Sequence, residues 1–130
     1  MLEQTKKVMK KGLSHVSTLT VSKRNTALEM GSGDMEVFAT PAMVALMENA
    51  AMLAVVDNLP EGSTTVGAMM HTSHVKPSPV GEEVRATAVL TEVEGRKLTF
   101  SVRAEDGKGL IGEGTHVRYV VDRERFLGKL

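Results

Sequence analysis

The chain contains no cysteine and no tryptophan, has few aromatic residues, and carries no net charge. Without cysteine there can be no disulfide framework, no thiolate zinc site and no cysteine nucleophile. The 16 basic side chains balance the 16 acidic ones, which argues against a nucleic-acid-binding protein, because such proteins carry a basic excess. The basic residues near the N-terminus are not followed by the apolar run of a signal peptide, so a cytoplasmic location is expected.

The 130 residues are enough for one domain with a buried core. No internal repeat, low-complexity stretch or linker rich in Pro and Gly divides them, so we predict a single domain over residues 1–130. No group of His, Asp and Glu residues has the spacing of metal ligands, and neither a metal nor another cofactor is therefore expected.

One long apolar segment lies in the first half of the chain. Thr40 and Pro41 form a start signal, because Thr can cap a helix and Pro is favoured in its first turn. The helix predicted over 41–56 is apolar on nearly all sides, so protein or lipid must surround it. It is shorter than the ~20 residues that a membrane span needs and contains Glu48. We therefore expect a buried core helix and no membrane association.

Alternating apolar and polar residues predict strands on both sides of this helix. They cover one or two strands within 13–30, and further strands at about 63–75, 84–91, 98–104 and 110–121. Gly112 and Gly114 indicate a bulge or a close backbone approach in the last strand. Because one flat sheet cannot cover an apolar helix, we predict an α+β fold. In this fold a curved antiparallel sheet wraps the central helix, and a second subunit covers the rest.

Three polar residues are candidates for chemistry. Glu48 is a carboxylate within an apolar helix, where burial is costly without a partner; a catalytic and a structural role are equally open. His74 and His71 point to opposite faces of a strand, which argues against a shared metal site and leaves an ordinary packed histidine as the alternative. Thr40, taken alone, is a helix cap. It lies roughly 12 Å from Glu48 along the helix, so the two share a site only across a spanning substrate or between subunits.

An ordered set of short segments connects these residues. It comprises Val37-Phe38-Ala39-Thr40, Leu46-Met47-Glu48, Val66-Gly67, Thr72-Ser73-His74 and Ile111-Gly112-Glu113-Gly114-Thr115-His116. The set covers roughly residues 15–126 and resembles the hot-dog-fold acyl-CoA thioesterases, specifically their fluoroacetyl-CoA thioesterase-like group.

The resemblance implies a hot-dog fold, a homodimer or dimer of dimers with sites at the interface, and hydrolysis of a small acyl-CoA thioester. The catalytic Thr, Glu and His of the family correspond to Thr40, Glu48 and His74, and its active-site glycine corresponds to Gly67. Asp34 stands where the fluoroacetyl-selective enzyme carries an aromatic residue. We therefore expect an acyl group other than fluoroacetyl.

Other classes of function remain open. A non-catalytic hot-dog protein that binds acyl-CoA or another acyl ligand would need the pocket, but not Glu48 and His74 together. A hot-dog hydratase would carry an Asp-x4-His pattern, and a serine hydrolase a G-x-S-x-G elbow; the chain has neither. Lys76, Arg103 and Arg118 are candidates for binding the CoA phosphates, although a solvated surface position is the simpler interpretation of each.

Overall fold

The computed structural model describes residues 9–130; residues 1–8 of the predicted domain lie outside the described residues. The elements in chain order are β1 (Ser14–Thr20), α1 (Ala27–Met30), α2 (Thr40–Val55), β2 (Ser63–His74), β3 (Glu83–Glu94), β4 (Lys97–Asp106), β5 (Gly109–Asp122) and α3 (Arg123–Gly128). Single 3-10 turns occupy Lys23–Asn25 and Val56–Asn58.

The five strands form one antiparallel sheet in the order β1-β3-β4-β5-β2, so β1 and β2 are its edges. Helix α2 packs mainly against β1 and β3. Its buried residues are Ala42, Met43, Leu46, Met47, Ala50, Ala51, Ala54 and Val55. They meet the inward side chains of the strands, among them Leu98 and Phe100. The prediction of an α+β fold with one long central helix on an antiparallel sheet is thereby confirmed.

The start of α2 differs from the prediction in one respect. Ala39 occupies the N-cap position, and no side chain caps the helix there. Thr40 is the first helical residue, so its expected role as the cap is wrong. Its hydroxyl is consequently free to bind another group, and that group lies on β2.

Helix α2 and the following turn, Thr40–Asn58, have the length and hydropathy of a membrane span; within residues 9–130 this is the one such segment. The core helices of soluble proteins pass the same test. The length of this segment therefore distinguishes a membrane span from a core helix less clearly than the sequence indicated. The buried face that α2 presents to the sheet is typical of a core helix.

The structure corrects the prediction for residues 13–30. Only the first part forms a strand, β1, whereas the second part forms a 3-10 turn and α1. The side-chain oxygen of Thr26 accepts the backbone N–H of Glu29 and so caps α1. Gly31, with φ 78°, then ends α1 in the left-handed conformation that favours glycine. The other four predicted strands are confirmed as β2 to β5.

Candidate active site

Thr40 and His74 lie 34 positions apart in the sequence and meet where α2 begins and β2 ends. Thr40 Oγ1 is 2.7 Å from His74 Nδ1, a short hydrogen bond. Backbone bonds on both sides fix the segment that leads into α2: Phe38 N–H donates to the Ser78 carbonyl and Ala39 N–H to that of Asn25. The helix start is therefore held against the end of the sheet, and with it the hydroxyl against the imidazole.

The surroundings of His74 favour its neutral form. The buried ring of Phe38 stands edge-on to the imidazole, with centroids 6.4 Å apart. Burial lowers the pKa of His74 by more than a backbone contact with Lys76 raises it. A neutral imidazole with an unprotonated Nδ1 accepts the Thr40 hydroxyl proton, and this is the arrangement of an activated nucleophile and its base. The other ring nitrogen, Nε2, is buried and has no hydrogen-bond partner among residues 9–130.

An open cleft of about 280 Å³ leads to this pair. Its lining combines apolar and polar side chains: Ala27, Ser32, Val37, Phe38, Thr40, His74, Val75, Lys76 and Pro77. Asp34 is exposed and lies two residues after Ser32 in the sequence. The cleft is thus accessible to a ligand, and among its described lining residues Phe38 is the one phenylalanine.

Glu48 and Gly67 form a second group, away from the first. Glu48 lies about two turns along α2 from Thr40 and is half-buried in a single chain. A Cβ built on Gly67 would lie 3.2 Å from Glu48 Oε2. The four predicted site residues therefore divide into two pairs, Thr40 with His74 and Glu48 with Gly67.

A buried polar network adjoins the second pair, and the sequence interpretation missed it. Arg118 is 7% exposed, so its interpretation as a solvated surface residue is wrong. Its Nε and Nη2 donate to Thr65 Oγ1 at 2.8 Å and to the Thr65 carbonyl at 2.9 Å, and its Nη1 lies 3.2 Å from His116 Nε2. His116 Nδ1 is 2.8 Å from the Met69 carbonyl. The two-residue spacing of His116 and Arg118 on a strand was the available signal for a shared face.

Electrostatics connect this network to Glu48. Burial lowers the pKa of Arg118 and of His116, while the negative charge of Glu48 raises both. The hydrogen bond to Met69 raises, and the charge of Arg118 lowers, the pKa of His116. Within the described part of the chain, no three His, Asp or Glu side chains stand close enough to hold a metal ion.

A long helix on a five-stranded antiparallel sheet is an arrangement that known proteins share. The structure matches a fluoroacetyl-CoA thioesterase variant in complex with acetyl-CoA with a TM-score of 0.88 and 35% identity, over 93% of this chain and 96% of that one. A thioesterase superfamily member from Thermus thermophilus matches with a TM-score of 0.86 and 25% identity, over 92% and 89% of the two chains. The class of protein is therefore a hot-dog-fold thioester hydrolase.

The particular family follows from the sequence comparison. Residues 21–124 match the fluoroacetyl-CoA-specific thioesterase family. The chain is also 43% identical, over 95 residues, to the fluoroacetyl-CoA thioesterase of Streptantibioticus cattleyicolor, a match that covers 73% of this chain and 68% of that protein. The chain belongs to this family, and the resemblance found in the sequence is confirmed.

Proposed function

We propose that the protein hydrolyses a small acyl-CoA thioester at a site to which two copies of the chain contribute. The observation that carries this proposal is the 2.7 Å hydrogen bond between Thr40 and His74 at an accessible cleft. The complex of a similar thioesterase with acetyl-CoA supports the class of substrate.

In the proposed reaction, Thr40 Oγ1 attacks the thioester carbonyl carbon while its proton moves to His74 Nδ1. The bond from the carbonyl carbon to sulfur then breaks, and the CoA thiolate takes the proton from His74. Water next attacks the acyl-threonine ester, gives a proton to His74, and releases the acid as the proton returns to Thr40. A neutral His74 is needed at the start of both steps, and burial favours that form.

Glu48 enters this site from a second copy of the chain. Its position on α2, roughly 12 Å from Thr40, prevents a direct bond within one chain. A carboxylate brought close by a second copy would stabilise the imidazolium that forms on His74 in each step. Glu48 thus acts as the third member of the catalytic group.

The edge strand β2 is the surface on which the second copy pairs. It is 12 residues long, stands at the end of the sheet, and leaves its outer row of backbone groups open, as does any edge strand. Met69 on this strand is 43% exposed. Pairing of two β2 strands would cover Met69 and bring the Gly67 side of each copy toward the other.

The acyl group is small, and we infer that fluoroacetyl-CoA is not the preferred substrate. The cleft of about 280 Å³ has the size of a site for a small ligand. Asp34 supplies a carboxylate where the family member with fluoroacetyl selectivity carries an aromatic residue, and Phe38 is already packed against His74.

A hydrolysis screen tests the activity. Purified protein is offered short, branched, fluorinated and aromatic acyl-CoAs, and free thiol is measured. We expect turnover of a small acyl-CoA, and a loss of at least ~10²-fold in His74→Ala and Glu48→Gln, the low end for a general acid–base residue. His15→Ala, an exposed change on β1 at the opposite edge of the sheet, is the matched control. Acyl-CoA binding without turnover would instead assign a non-catalytic binding protein.

A complementation experiment tests the shared site. Thr40→Val and Glu48→Gln chains are unfolded together, refolded as a mixture, and compared with each variant alone. Half of the dimers are then hybrids with one intact site of two, so activity should return to about a quarter of the wild-type level. A mixture no more active than its components would show that Thr40 and Glu48 act within one chain.

A further inference from the structure

His116 is a buried histidine that the proposed reaction does not use. It is 1% exposed, lies on β5, and its ring packs on Phe100 of β4 with centroids 6.2 Å apart. The charged groups that face it are Arg118, two residues further along β5, and Glu48 on α2. Strand β2 contributes a carbonyl, that of Met69. Because the ring is enclosed in this way, its hydrogen-bond partners are fixed.

These partners determine which nitrogen of His116 carries the proton. The guanidinium of Arg118 can only donate, so Nε2, which lies 3.2 Å from Arg118 Nη1, must accept. The Met69 carbonyl can only accept, so Nδ1 donates to it at 2.8 Å. The imidazole is therefore neutral and protonated on Nδ1. Burial and the neighbouring cation both favour this neutral form by lowering its pKa.

The Cε1 atom of this ring borders the space above Gly67. Strands β2 and β5 change register between Gly67 and Met69, which leaves Ala68 as a bulge, and the bond from His116 holds the carbonyl that ends it. A Cβ on Gly67 would lie 3.2 Å from Glu48 Oε2, 3.4 Å from His116 Cε1 and 3.5 Å from Arg118 Nη1. The Glu48 carboxylate and the Arg118 guanidinium thus both border the space above Gly67, as does the His116 ring.

Arg118 has no carboxylate partner that would fix it instead. Among residues 9–130 it takes part in no ion pair, and its three hydrogen bonds go to Thr65 and His116. The direction of its guanidinium therefore depends on neutral acceptors. Removal of the acceptor on His116 would leave Nη1 free to turn away from Glu48.

We propose that His116 is a positioning residue of the hydrolase site, which holds the Arg118 guanidinium opposite Glu48 across Gly67. The inference rests on the proposed catalytic role of Glu48. Among residues 9–130, the ring nitrogens of His116 bind Met69 and Arg118, not the pair formed by Thr40 and His74. His116 acts on the reaction through Arg118, whose guanidinium it keeps beside the space above Gly67, opposite the Glu48 carboxylate.

Two conservative variants separate the two hydrogen bonds of the ring. In His116→Gln, the side-chain oxygen reaches the place of Nε2 and can still accept from Arg118. In His116→Asn, the side-chain amide reaches only the place of Nδ1, so it can donate to Met69 but offers nothing to Arg118. For both variants, kcat and KM are measured from pH 5 to 9 with the acyl-CoA identified in the screen, and thermal unfolding is followed in parallel.

We expect His116→Gln to keep kcat within about threefold of the wild type and His116→Asn to lose about tenfold, with KM little changed in both, because a hydrogen bond to a charged group is lost. Thr65→Val, which removes the Nε partner of Arg118 while keeping the shape of the side chain, should lower kcat in the same direction.

Wild-type kcat in His116→Asn would overturn the proposal, even if the melting temperature fell, since the residue would then be purely structural. If neither His116 variant folds, wild-type kinetics in Thr65→Val would overturn it. A wild-type protein without turnover, or a fully active Glu48→Gln, would refute the proposed function and this inference with it. A defect confined to His116→Asn and Thr65→Val would support the inference separately.

Discussion

Replacement of Gly67 by alanine is the smallest change that tests whether the space between Glu48 and Arg118 is functional. The added Cβ would lie 3.2 Å from Glu48 Oε2 and 3.5 Å from Arg118 Nη1. Since nonbonded heavy atoms prefer roughly 3.5–4.0 Å, the carboxylate must retreat by a few tenths of an ångström. Gly67 is not among the glycines with positive φ, so the backbone accepts alanine without strain.

These distances predict little change in stability but a loss of activity. The stiffer unfolded chain stabilises the variant by about 0.4–1 kcal/mol, whereas crowding costs about 1 kcal/mol, the low end for an overfilled site. The two nearly cancel. Activity should fall at least ~10-fold, because a misplacement of about 1 Å costs about 10²-fold and the methyl group also occupies space that a reactant would use.

The assay measures kcat/KM by thiol release, together with thermal unfolding, for Gly67→Ala and for the control Gly128→Ala, whose added Cβ meets nothing within 4 Å. We expect both variants to unfold near the wild-type temperature and only Gly67→Ala to lose activity. Wild-type kcat/KM in Gly67→Ala would refute the reasoning, since the space above Gly67 would then serve no step of the reaction.

Two further predictions concern pH. The neutral form of His74 is the reactive one and burial lowers its pKa from 6.5, so kcat/KM should hold its full value at pH 7 and fall only at lower pH; a rate that still climbs tenfold between pH 7 and 8 would contradict this. For buried Asp106, desolvation raises the pKa, but hydrogen bonds from Lys108 and Ser78 and the charge of Lys76 outweigh it and leave the pKa lowered from 3.8. Its ionised form therefore stabilises the fold above about pH 4, and this contribution is lost as the pH falls through the lowered value. Asp106→Asn should lower the melting temperature at pH 7 and reduce its dependence on pH below 4; equal melting curves at pH 7 would refute this role.

Much of the fold could be predicted because its signals are local. The apolar run that became α2 is hydrophobic on nearly all sides, and the strands β3 and β4 alternate with period two. The incorrect predictions also have local causes. A threonine cap and a glycine stop formed α1 where alternation indicated a strand. At α2, Ala39 took the cap position that a propensity argument gives to Thr40.

The site was predictable only in part. The spacing along α2 separated Thr40 from Glu48, and the family resemblance added His74 and Gly67. No sequence rule could show that Thr40 and His74 touch, because their contact depends on how β2 ends beside α2. His116 and Arg118 were missed because a histidine and an arginine on an alternating strand normally face solvent. Their burial results from the register between β2 and β5.

The uncapped start of α2 and the rigid spacing within it have one joint consequence. Because Ala39 and not Thr40 occupies the cap position, the Thr40 hydroxyl is available to His74. The same helix then carries Glu48 too far away to act on that pair. Under the proposed function, each chain would therefore hold two incomplete halves of a site. In the proposed dimer, two-fold pairing along β2 would bring Thr40 and His74 of each copy to Glu48 of the other. One interface would thus complete two sites, whereas an isolated chain would complete none.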